Sequence, residues 1–273
     1  MRIKPSDLWK VRDRRIRSLL PALRSTDAAA RELRWISAEI QGPPGKITQI
    51  CKLRGQGVPL QYLLGTQPFG PLEILCRRKV LIPRWETEEW VMELAPTLAA
   101  HTSFVDVCTG TGCIAFLLEK LTTIRGTACD ISPHSERVFQ LNKTHLGLQS
   151  TFFRHDLYNP LSVKADLVVA NPPYIPNLTD ADFSVSMYEP RLALVGDLPV
   201  YEALIDRVIE AQAKNAVFEV GSGHQIEFCC NKFRKLGWEA QGRLDGAGNP
   251  RTVWAKHPDS VLDWTTVKLP LYE

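Results

Sequence analysis

The stretch ADLVVANPPYIP, residues 165–176, organises this chain of 273 residues. Its apolar part, Leu167–Ala170, predicts a buried strand that runs directly into the sequence Asn-Pro-Pro-Tyr at 171–174. Proline fixes its own φ and favours an extended conformation in the residue before it. We therefore expect a stiff turn that holds Asn171 and the Pro172 carbonyl at the carboxyl end of a strand, where open α/β sheets bind their ligands.

These four residues offer a neutral amide oxygen, a rigid carbonyl and an aromatic ring, but no acid, base or metal ligand. Asn171 and Pro172 can accept hydrogen bonds from both N–H groups of a planar NH₂ group, and the ring of Tyr174 can cover its plane. Such a site suits a nitrogen whose lone pair is delocalised, and it acts through positioning and fixed dipoles. A proline turn that merely caps a strand is the alternative interpretation.

The composition is that of an ordinary globular protein, with 44% hydrophobic and 23% charged residues. The net charge of +3 indicates neither a strong nucleic-acid binder nor a protein that binds acidic surfaces. The seven cysteines include no C-x-x-C pair, so we expect reduced buried thiols, an intracellular or matrix compartment and no metal site. The basic N-terminus fits either a mitochondrial presequence or a helix of the fold.

Hydrophobic patterning divides the chain into an N-terminal helical domain at 1–58, a β-hairpin linker at 59–84 and a larger domain at 85–273. The N-terminal helices are predicted at 6–24, 26–40 and 46–55, and the linker strands at 62–65, 72–76 and 80–82. The larger domain has predicted helices at 86–99, 113–122, 133–146, 199–213 and 222–236, and strands at 103–108, 126–130, 150–155, 166–170, 215–220, 238–244 and 252–256. This alternation predicts a mostly parallel sheet covered on both faces. The remaining residues, 257–273, predict a tail on the surface.

Three successive strand ends of the larger domain carry chemistry that suits an adenosine. The first strand leads into the glycine-containing turn of DVCTGTGCIA at 106–115, where the backbone can approach a ligand closely. The second ends at Asp130, placed to accept from both ribose hydroxyls. The third ends at His155-Asp156, where the carboxylate of Asp156 can accept from an adenine amino group.

A dinucleotide site is the alternative, because Gly110-x-Gly112-x-x-Ala115 followed by an acid also fits that fingerprint. A dehydrogenase would need a His, Tyr or Lys donor beyond the fourth strand, where this chain has Asn-Pro-Pro-Tyr. Asn171 and Pro172 would together form a clamp for a weakly nucleophilic nitrogen. An adenosyl cofactor beside this clamp favours S-adenosylmethionine and methyl transfer.

The order and spacing of several motifs resemble the release-factor glutamine N5-methyltransferases, the HemK/PrmC family. The motifs lie at 59–65, 80–89, 106–115, 171–176, 189–194 and 245–248, with Arg251. The resemblance implies a seven-strand class I (Rossmann-like) S-adenosylmethionine-dependent methyltransferase domain with a small N-terminal helical domain and a linking β-hairpin. It implies methyl transfer to the glutamine side-chain amide of the Gly-Gly-Gln motif in a class I peptide-chain release factor, with S-adenosylhomocysteine as the other product.

Carried over by position, the resemblance assigns two sets of residues. The cofactor set is Cys108, Thr109, Gly110, Thr111, Gly112, Asp130, Asp156, Leu157, Asn171 and Thr87. The substrate set is Asn171, Pro172, Pro173 and Tyr174, of which Asn171, Pro172 and Tyr174 are also the expected catalytic residues.

Two positions depart from the family pattern. Cys108 stands where many members have glycine, which could crowd the methionine end of the cofactor, and Trp85 stands where bacterial members have proline. Trp85 and the segment 32–36 resemble the mitochondrial type of eukaryotic member. We therefore expect a mitochondrial release factor as substrate, recognised in part by 1–58, and a matrix location, with the cytoplasm as the alternative. We further expect a monomer without a DNA or membrane partner.

Two other functions remain open on the sequence. DNA adenine N6-methyltransferases also use Asn-Pro-Pro-Tyr, but they usually carry a target-recognition domain and a strongly basic surface, which this sequence does not show. A non-catalytic binding protein on the same fold would explain Cys108, but the intact motif at 171–174 argues against it.

Overall fold

A computed structural model describes residues 11–273 of the chain, apart from the side chains of Pro44 and Asp180. Residues 1–10, which include the start of the helix predicted at 6–24 and part of the basic N-terminus, lie outside the described residues.

The helices of the described part are α1 (Arg14–Leu23), α2 (Thr26–Glu39), α3 (Pro44–Gly55), α4 (Leu60–Leu64), α5 (Trp85–Leu94), α6 (Cys113–Thr122), α7 (Pro133–Leu146), α8 (Phe183–Tyr188), α9 (Arg191–Leu194), α10 (Leu198–Glu210) and α11 (Gly223–Lys235). The strands are β1 (Thr66–Phe69), β2 (Leu72–Leu75), β3 (Phe104–Val107), β4 (Thr127–Asp130), β5 (Thr151–Arg154), β6 (Leu167–Ala170), β7 (Asn215–Glu219), β8 (Glu239–Leu244) and β9 (Pro250–Lys256). None of these helices combines the length and the apolar character that crossing a membrane requires.

One compact unit comprises the described residues up to Thr66 together with Asp182–Tyr188. The apolar faces of α1, α2 and α3 form its core, as their spacing predicts, with Leu19, Leu20, Ala29, Leu33, Ile36, Ile50 and Cys51 buried. Helix α2 begins after Ser25, whose hydroxyl accepts a hydrogen bond from the backbone N–H of Ala28 and so satisfies one helix-end donor. Helix α8 was not predicted, and the hydroxyl of its Tyr188 donates to the Gln56 carbonyl.

The strand predicted at 62–65 is wrong, because this stretch lies in helix α4 and its end. Leu60, Leu63 and Leu64 follow a helical spacing and pack against the helical core. Gly65 ends the helix with φ of 92°, a left-handed conformation that glycine adopts without strain. The strand predicted at 80–82 is also absent, since these residues form an irregular loop. The hairpin therefore consists of β1 and β2 alone.

The second unit comprises Gln67–Ala181 and Glu189–Glu273. In the described part of the chain, its seven strands from β3 onward form one sheet in the order β5-β4-β3-β6-β7-β9-β8. The strands from β3 to β7 pair in parallel, and β9 runs antiparallel to both β7 and β8. The predicted seven-strand α/β architecture is confirmed, and each predicted strand of this sheet lies within two residues of the observed one.

Alternate residues of the central strands enter two separate cores. Val168 and Ala170 of β6 pack on one face of the sheet in the core that includes residues of α10 and α11, whereas Leu167 and Val169 pack on the other with residues of α5, α6 and α7. Burial on both faces explains why the sequence of β6 is continuously apolar. Helix α5 ends at Leu94, earlier than predicted, because Pro96 cannot continue an α-helix.

The prediction of a surface tail at 257–273 is wrong. Leu262, Trp264, Val267 and Leu269 are buried in the core on the α6 face of the sheet. Trp264 meets Trp254 of β9 edge to face at 5.1 Å between ring centroids. The segment is irregular, so its apolar residues follow neither a helical nor a strand period, and pattern analysis could not identify them as core residues.

Replacing Trp264 with alanine tests this part of the core. Trp264 is 7% exposed, and truncating a buried tryptophan costs about 3–5 kcal/mol of unfolding free energy. We expect Trp264→Ala to lower the urea midpoint accordingly. The matched control is Val261→Ala, since Val261 is 84% exposed and its loss should change the free energy of unfolding by less than about 0.5 kcal/mol. Equal midpoints for both variants would contradict the burial of this segment.

Candidate active site

The sheet register aligns the strand ends that carry the predicted site. Ala170 of β6 pairs with Val107 of β3 on one side and with Phe218 of β7 on the other. The next residues of the three strands are therefore neighbours: Cys108, Asn171 and Glu219. The chain leaves β3 toward β4 on one side and returns through β6 on the other, so this edge is the topological switch point where such sheets bind ligands.

A cavity of about 270 Å³ opens at this edge. It brings together most of the predicted site residues: Thr87, Cys108, Thr109, Gly110, Thr111, Asp130, Asp156, Leu157, Asn171 and Pro173. Gly112, Pro172 and Tyr174 are not among its lining residues. The loop at 79–84 and residues of α9 complete the wall.

Glu189 joins two motifs that are far apart in the sequence. Its carboxylate forms an ion pair with Arg84 at 2.6 Å and accepts a hydrogen bond from the Ile82 N–H at 3.0 Å. Ile82 and Arg84 line the cavity, and Glu189 directly precedes Pro190, which also lines it. The two walls of the cavity are therefore tied by one buried carboxylate, which the sequence analysis quoted as part of a motif but did not assign to the site.

The turn after β3 explains both the glycines and the cysteine of the sequence. Cys108 has φ of 62° and Gly112 has φ of 85°, both in the left-handed region. A glycine at position 108 would adopt this conformation without strain, whereas the Cβ of a cysteine makes it less favourable. At Gly112 a Cβ would lie 2.4 Å from the Phe116 ring, so this glycine serves helix packing outside the cavity lining.

Asp106 anchors the same turn from beneath the cavity. Its Oδ2 accepts hydrogen bonds from the Thr109 hydroxyl at 2.5 Å and the Ala115 N–H at 3.3 Å. Burial raises the pKa of Asp106 to about 7, partly offset by these two donors. The Thr109 hydroxyl is thus engaged with Asp106, although Thr109 itself lines the cavity.

Two carboxylates on the cavity wall are oriented by backbone donors. Asp130 accepts from the Gly110 N–H at 3.0 Å and from the Ser132 N–H at 2.8 Å, and burial raises its pKa. Asp156 accepts from the Tyr158 N–H at 3.0 Å. Each carboxylate oxygen can accept more than one hydrogen bond. These acceptors fit the ribose hydroxyls and the adenine amino group, which are all donors.

Arg207 of α10 does not line the cavity but supports this wall through Leu157, and its role was not predicted from the sequence. Its guanidinium is buried and donates to the carbonyls of Leu157 and Asn159 at 2.6 and 2.7 Å, and Glu210 pairs with it. Arg207 therefore holds the loop in which Leu157 borders the predicted adenine position. The available signal was an arginine on the apolar face of a helix, three residues after Leu204 and four before Ala211.

The carboxamide of Asn171 is held at one end and unpaired at the other. Its Nδ2 donates to the Thr87 hydroxyl oxygen at 2.9 Å, and that hydroxyl donates to Glu219 Oε2 at 2.6 Å. The Oδ1 atom is buried and has no hydrogen-bond partner among the residues that the structure describes. A buried acceptor of this kind needs explanation, and a donor on a ligand would satisfy it.

Tyr174 lies behind the cavity rather than in its lining. A Cβ on Gly221 would be 2.6 Å from the Tyr174 ring, so the ring packs directly on that glycine. The Tyr174 hydroxyl donates to Glu219 Oε1 at 3.4 Å, and its carbonyl accepts from Gln225 Nε2 at 3.0 Å. These contacts fix the Asn-Pro-Pro-Tyr turn; the placement of the ring over a substrate amide stays a prediction.

Glu219 at the end of β7 is the central residue that the sequence analysis overlooked. It is fully buried and also accepts a hydrogen bond from the Trp90 indole N–H at 2.9 Å. Burial raises its pKa, while the guanidinium of Arg251, 3.9 Å away, opposes that shift. A charged residue at the end of an apolar strand was the signal that could have identified it.

Sequence comparison with known proteins identifies methyltransferases as relatives of this chain. The mitochondrial MRF1 N(5)-glutamine methyltransferase MTQ1 of Saccharomyces cerevisiae is 35% identical over 86% of this chain and 82% of its own length. The probable MRF1 mitochondrial N(5)-glutamine methyltransferase of Schizosaccharomyces pombe is 34% identical over 89% and 94%. This chain belongs to the release factor glutamine methyltransferase family. The resemblance seen in the sequence motifs is thereby confirmed, and the chain is a methyltransferase.

Other matches to this methyltransferase agree with the family or the fold. The release factor glutamine methyltransferase of Bacillus subtilis is 33% identical over 80% of this chain and 84% of its own. The family described as "Methyltransferase small domain" matches residues 91–187. Among solved structures, the catalytic domain of human Mettl16 in complex with an RNA hairpin superposes with a TM-score of 0.57, at 17% identity over 89% of this chain and 93% of its own. That likeness shows the class I methyltransferase fold alone.

Replacing Asp106 with asparagine tests the buried carboxyl beneath the turn. The pKa of Asp106 is about 7 in the folded methyltransferase, against an ordinary value of 3.8. The folded state therefore binds more protons than the unfolded state between these values, and the wild-type free energy of unfolding falls as the pH rises through this window. Asparagine does not ionise, so we expect the melting temperature of Asp106→Asn minus that of the wild type to increase between about pH 4 and about pH 7.

The matched control for this measurement is Asp263→Asn. Asp263 is exposed at the surface, and its pKa is lowered by hydrogen bonds from Thr265. Its replacement should therefore shift the melting temperature by the same amount at every pH well above its ordinary pKa of 3.8. A difference for Asp106→Asn that is independent of pH would contradict the raised pKa of Asp106.

Proposed function

We propose that this methyltransferase transfers a methyl group from S-adenosylmethionine to the side-chain amide nitrogen of the glutamine in a Gly-Gly-Gln motif of a mitochondrial peptide-chain release factor. The observation that carries the proposal is the buried, unpaired Oδ1 of Asn171, which faces no hydrogen-bond donor among the described residues. The names of the two yeast relatives, which specify MRF1 and mitochondria, support both this substrate class and a location in the mitochondrial matrix.

The chemistry of the cavity supports the cofactor. Asp130 and Asp156 would hold the ribose and adenine donors, and the turn at 108–112 would approach the methionine part through its backbone. S-adenosylmethionine, when bound, supplies an electrophilic methyl carbon on a sulfonium sulfur. The half-buried Cys108 lies in the cavity wall and narrows it relative to a glycine.

The amide clamp would act on the glutamine nitrogen by hydrogen bonding alone. Asn171 Oδ1 and the Pro172 carbonyl are the proposed acceptors for its two N–H groups. Asn171 and Pro173 line the cavity, whereas Pro172 between them does not. Neutral acceptors direct the nitrogen lone pair without removing a proton. Proton loss then follows alkylation, when the N–H becomes acidic, and water can accept that proton. The role of Asn171 and its neighbours is therefore to position the nitrogen and to stabilise the charge that develops on it.

The N-terminal helical unit is the part that we propose recognises the release factor. The sequence up to Thr66 contains thirteen Lys and Arg against five Asp and Glu, whereas the rest contains twenty against twenty-five. A protein surface of opposite charge would associate with such a unit at a rate that falls with ionic strength. This proposal keeps the predicted functional division into 1–58, 59–84 and 85–273, although the compact helical unit of the structure extends to Thr66.

A transfer assay with Asn171→Ala tests the proposed function. Tritiated S-adenosylmethionine is incubated with a mitochondrial release factor, with its Gly-Gly-Gln to Gly-Gly-Ala variant, or with duplex DNA. We expect label on the unmodified release factor only. Removing the Asn171 acceptor should lower the rate by about a hundredfold or more, as the loss of one well-placed hydrogen-bonding group does in other active sites. Cofactor affinity, measured by calorimetry, should change by less than about tenfold.

Asn177→Ala is the matched control, because Asn177 is exposed and its side chain accepts only from the Thr179 N–H among the described contacts. It should methylate the release factor at the wild-type rate. Label on DNA, or undiminished transfer by Asn171→Ala, would refute the assignment.

A further inference from the structure

We propose that Glu219 is a positioning residue that acts through the Thr87 hydroxyl to decide which end of the Asn171 carboxamide faces the cavity. The inference rests on the proposed function in one respect, namely that the Oδ1 of Asn171 is the acceptor for a substrate N–H. It adds to that function a reason why the oxygen of the Asn171 carboxamide, and not its NH₂ group, faces the cavity.

A carboxamide is a two-sided group, because its oxygen and its NH₂ group are similar in size and opposite in hydrogen-bonding character. If the Asn171 side chain turned over, it would present two N–H donors to a substrate that also offers two N–H donors. The clamp would then repel the nitrogen that it has to hold. A methyltransferase that uses this asparagine therefore needs a device that prevents the flip.

The Thr87 hydroxyl has a single proton and lies between two partners. Its oxygen is 2.6 Å from Glu219 Oε2 and 2.9 Å from Asn171 Nδ2. If the proton points to Glu219, the lone pairs of Thr87 remain for Asn171, and only the NH₂ end of the carboxamide can bond there. If the amide were flipped, the proton would have to point to Asn171. The Thr87 hydroxyl oxygen and Glu219 Oε2 would then face each other at 2.6 Å with no proton between them.

Glu219 settles the direction of that proton because, when ionised, it is an acceptor only. Its Oε2 also receives the Trp90 indole N–H, which is a donor only, at 2.9 Å. The hydrogen bonds therefore run in one direction, from Asn171 to Thr87 to Glu219, with Trp90 donating to the same oxygen. Tyr174 donates to its other oxygen at 3.4 Å. Burial raises the pKa of Glu219, whereas the donors Thr87 and Trp90 and the guanidinium of Arg251, 3.9 Å away, favour the ionised form.

Geometry separates this role from direct catalysis. Neither Glu219 nor Trp90 lines the cavity, whereas Thr87 and Asn171 do. The only hydroxyl of Thr87 is engaged with both Glu219 and Asn171, which favours a relay over the cofactor contact predicted for Thr87 from the sequence resemblance. Glu219 is fully buried, so a flip that left it without the Thr87 proton would leave a buried charge short of one hydrogen bond.

The decisive variants are Thr87→Val and Thr87→Ser. Valine has the shape of threonine without the hydroxyl, so it removes the bond to Asn171 and the bond to Glu219 together. Serine keeps the hydroxyl and should restore most of what valine loses. Thr97→Val is the matched control, since Thr97 lies just beyond the end of α5 and its hydroxyl donates to the Leu94 carbonyl.

A first measurement needs neither cofactor nor substrate. In protein labelled with ¹⁵N at asparagine, the Asn171 side-chain signal is assigned by its absence in Asn171→Ala, and its N–H exchange with water is measured by NMR. We expect exchange to be at least about tenfold faster in Thr87→Val than in the wild type. It should return toward the wild-type rate in Thr87→Ser and stay unchanged in Thr97→Val. Equal exchange in Thr87→Val and the wild type would overturn the inference.

A second measurement uses methyl transfer to the release factor. We expect Thr87→Val to lower kcat by about tenfold to a hundredfold, while the Kd for S-adenosylmethionine stays within about threefold of the wild type. A large rise in that Kd with little change in kcat would make Thr87 a cofactor contact and overturn the relay. If the exchange rates change as expected but neither the wild type nor any variant methylates the release factor, the proposed function is refuted and the positioning role stands.

A double-mutant cycle connects Glu219 to Thr87. If Glu219 acts through the Thr87 hydroxyl, Glu219→Leu should lower kcat in the wild type but add less than about threefold to the loss in Thr87→Val. Additive losses would show that Glu219 acts by another route. Should Glu219→Leu prove too unstable to purify, Glu219→Gln takes its place in the same cycle with the same expected outcomes, because glutamine keeps the shape of the side chain but is no longer an acceptor only.

Discussion

The parallel pairing of β6 with β3 and β7 is the constraint on which the site depends. Because Ala170 lies in register with Val107 and with Phe218, the turn that begins at Cys108, the clamp at Asn171 and the carboxylate of Glu219 meet at one edge. A shift of one residue in this register would turn Val169 and Ala170 to the opposite faces of the sheet, against the packing of both cores. The hydrophobic cores thus determine the geometry of the chemistry.

Features that follow from local pattern could be predicted from the sequence. The seven strands, the long helices between them and the turn after β3 all depend on short-range periodicity and on glycine, and they were placed within three residues. The predicted cofactor acceptors Asp130 and Asp156 share one cavity for the same reason, because Asp130 ends one strand and Asp156 lies two residues beyond the next, and both strand ends could be recognised.

The rest depends on contacts between residues that are distant in the sequence. A single charged residue such as Glu219 or Arg207 forms no periodic pattern. Glu219 is separated from its partner Thr87 by 132 residues, and Arg207 from its partner Leu157 by 50. The buried segment around Trp264 is irregular, so its burial follows from the face of the sheet that it covers. Helix α4 was mistaken for a strand because five apolar-rich residues are too few to distinguish the two periods.

The distribution of charge around the clamp matches the demands of alkylating an amide. Asp106 and Glu219 are buried one layer behind the cavity, where they orient Thr109 and Thr87 rather than contact a ligand. A carboxylate at the position of Asn171 would bind the amide N–H groups more strongly, but it would also attract the methyl donor's positive charge and compete as a nucleophile. A neutral oxygen whose orientation is imposed by a charge behind it avoids that competition. Glu219 is therefore useful because it orients the Asn171 carboxamide through two successive hydrogen bonds, by way of Thr87, without touching the substrate.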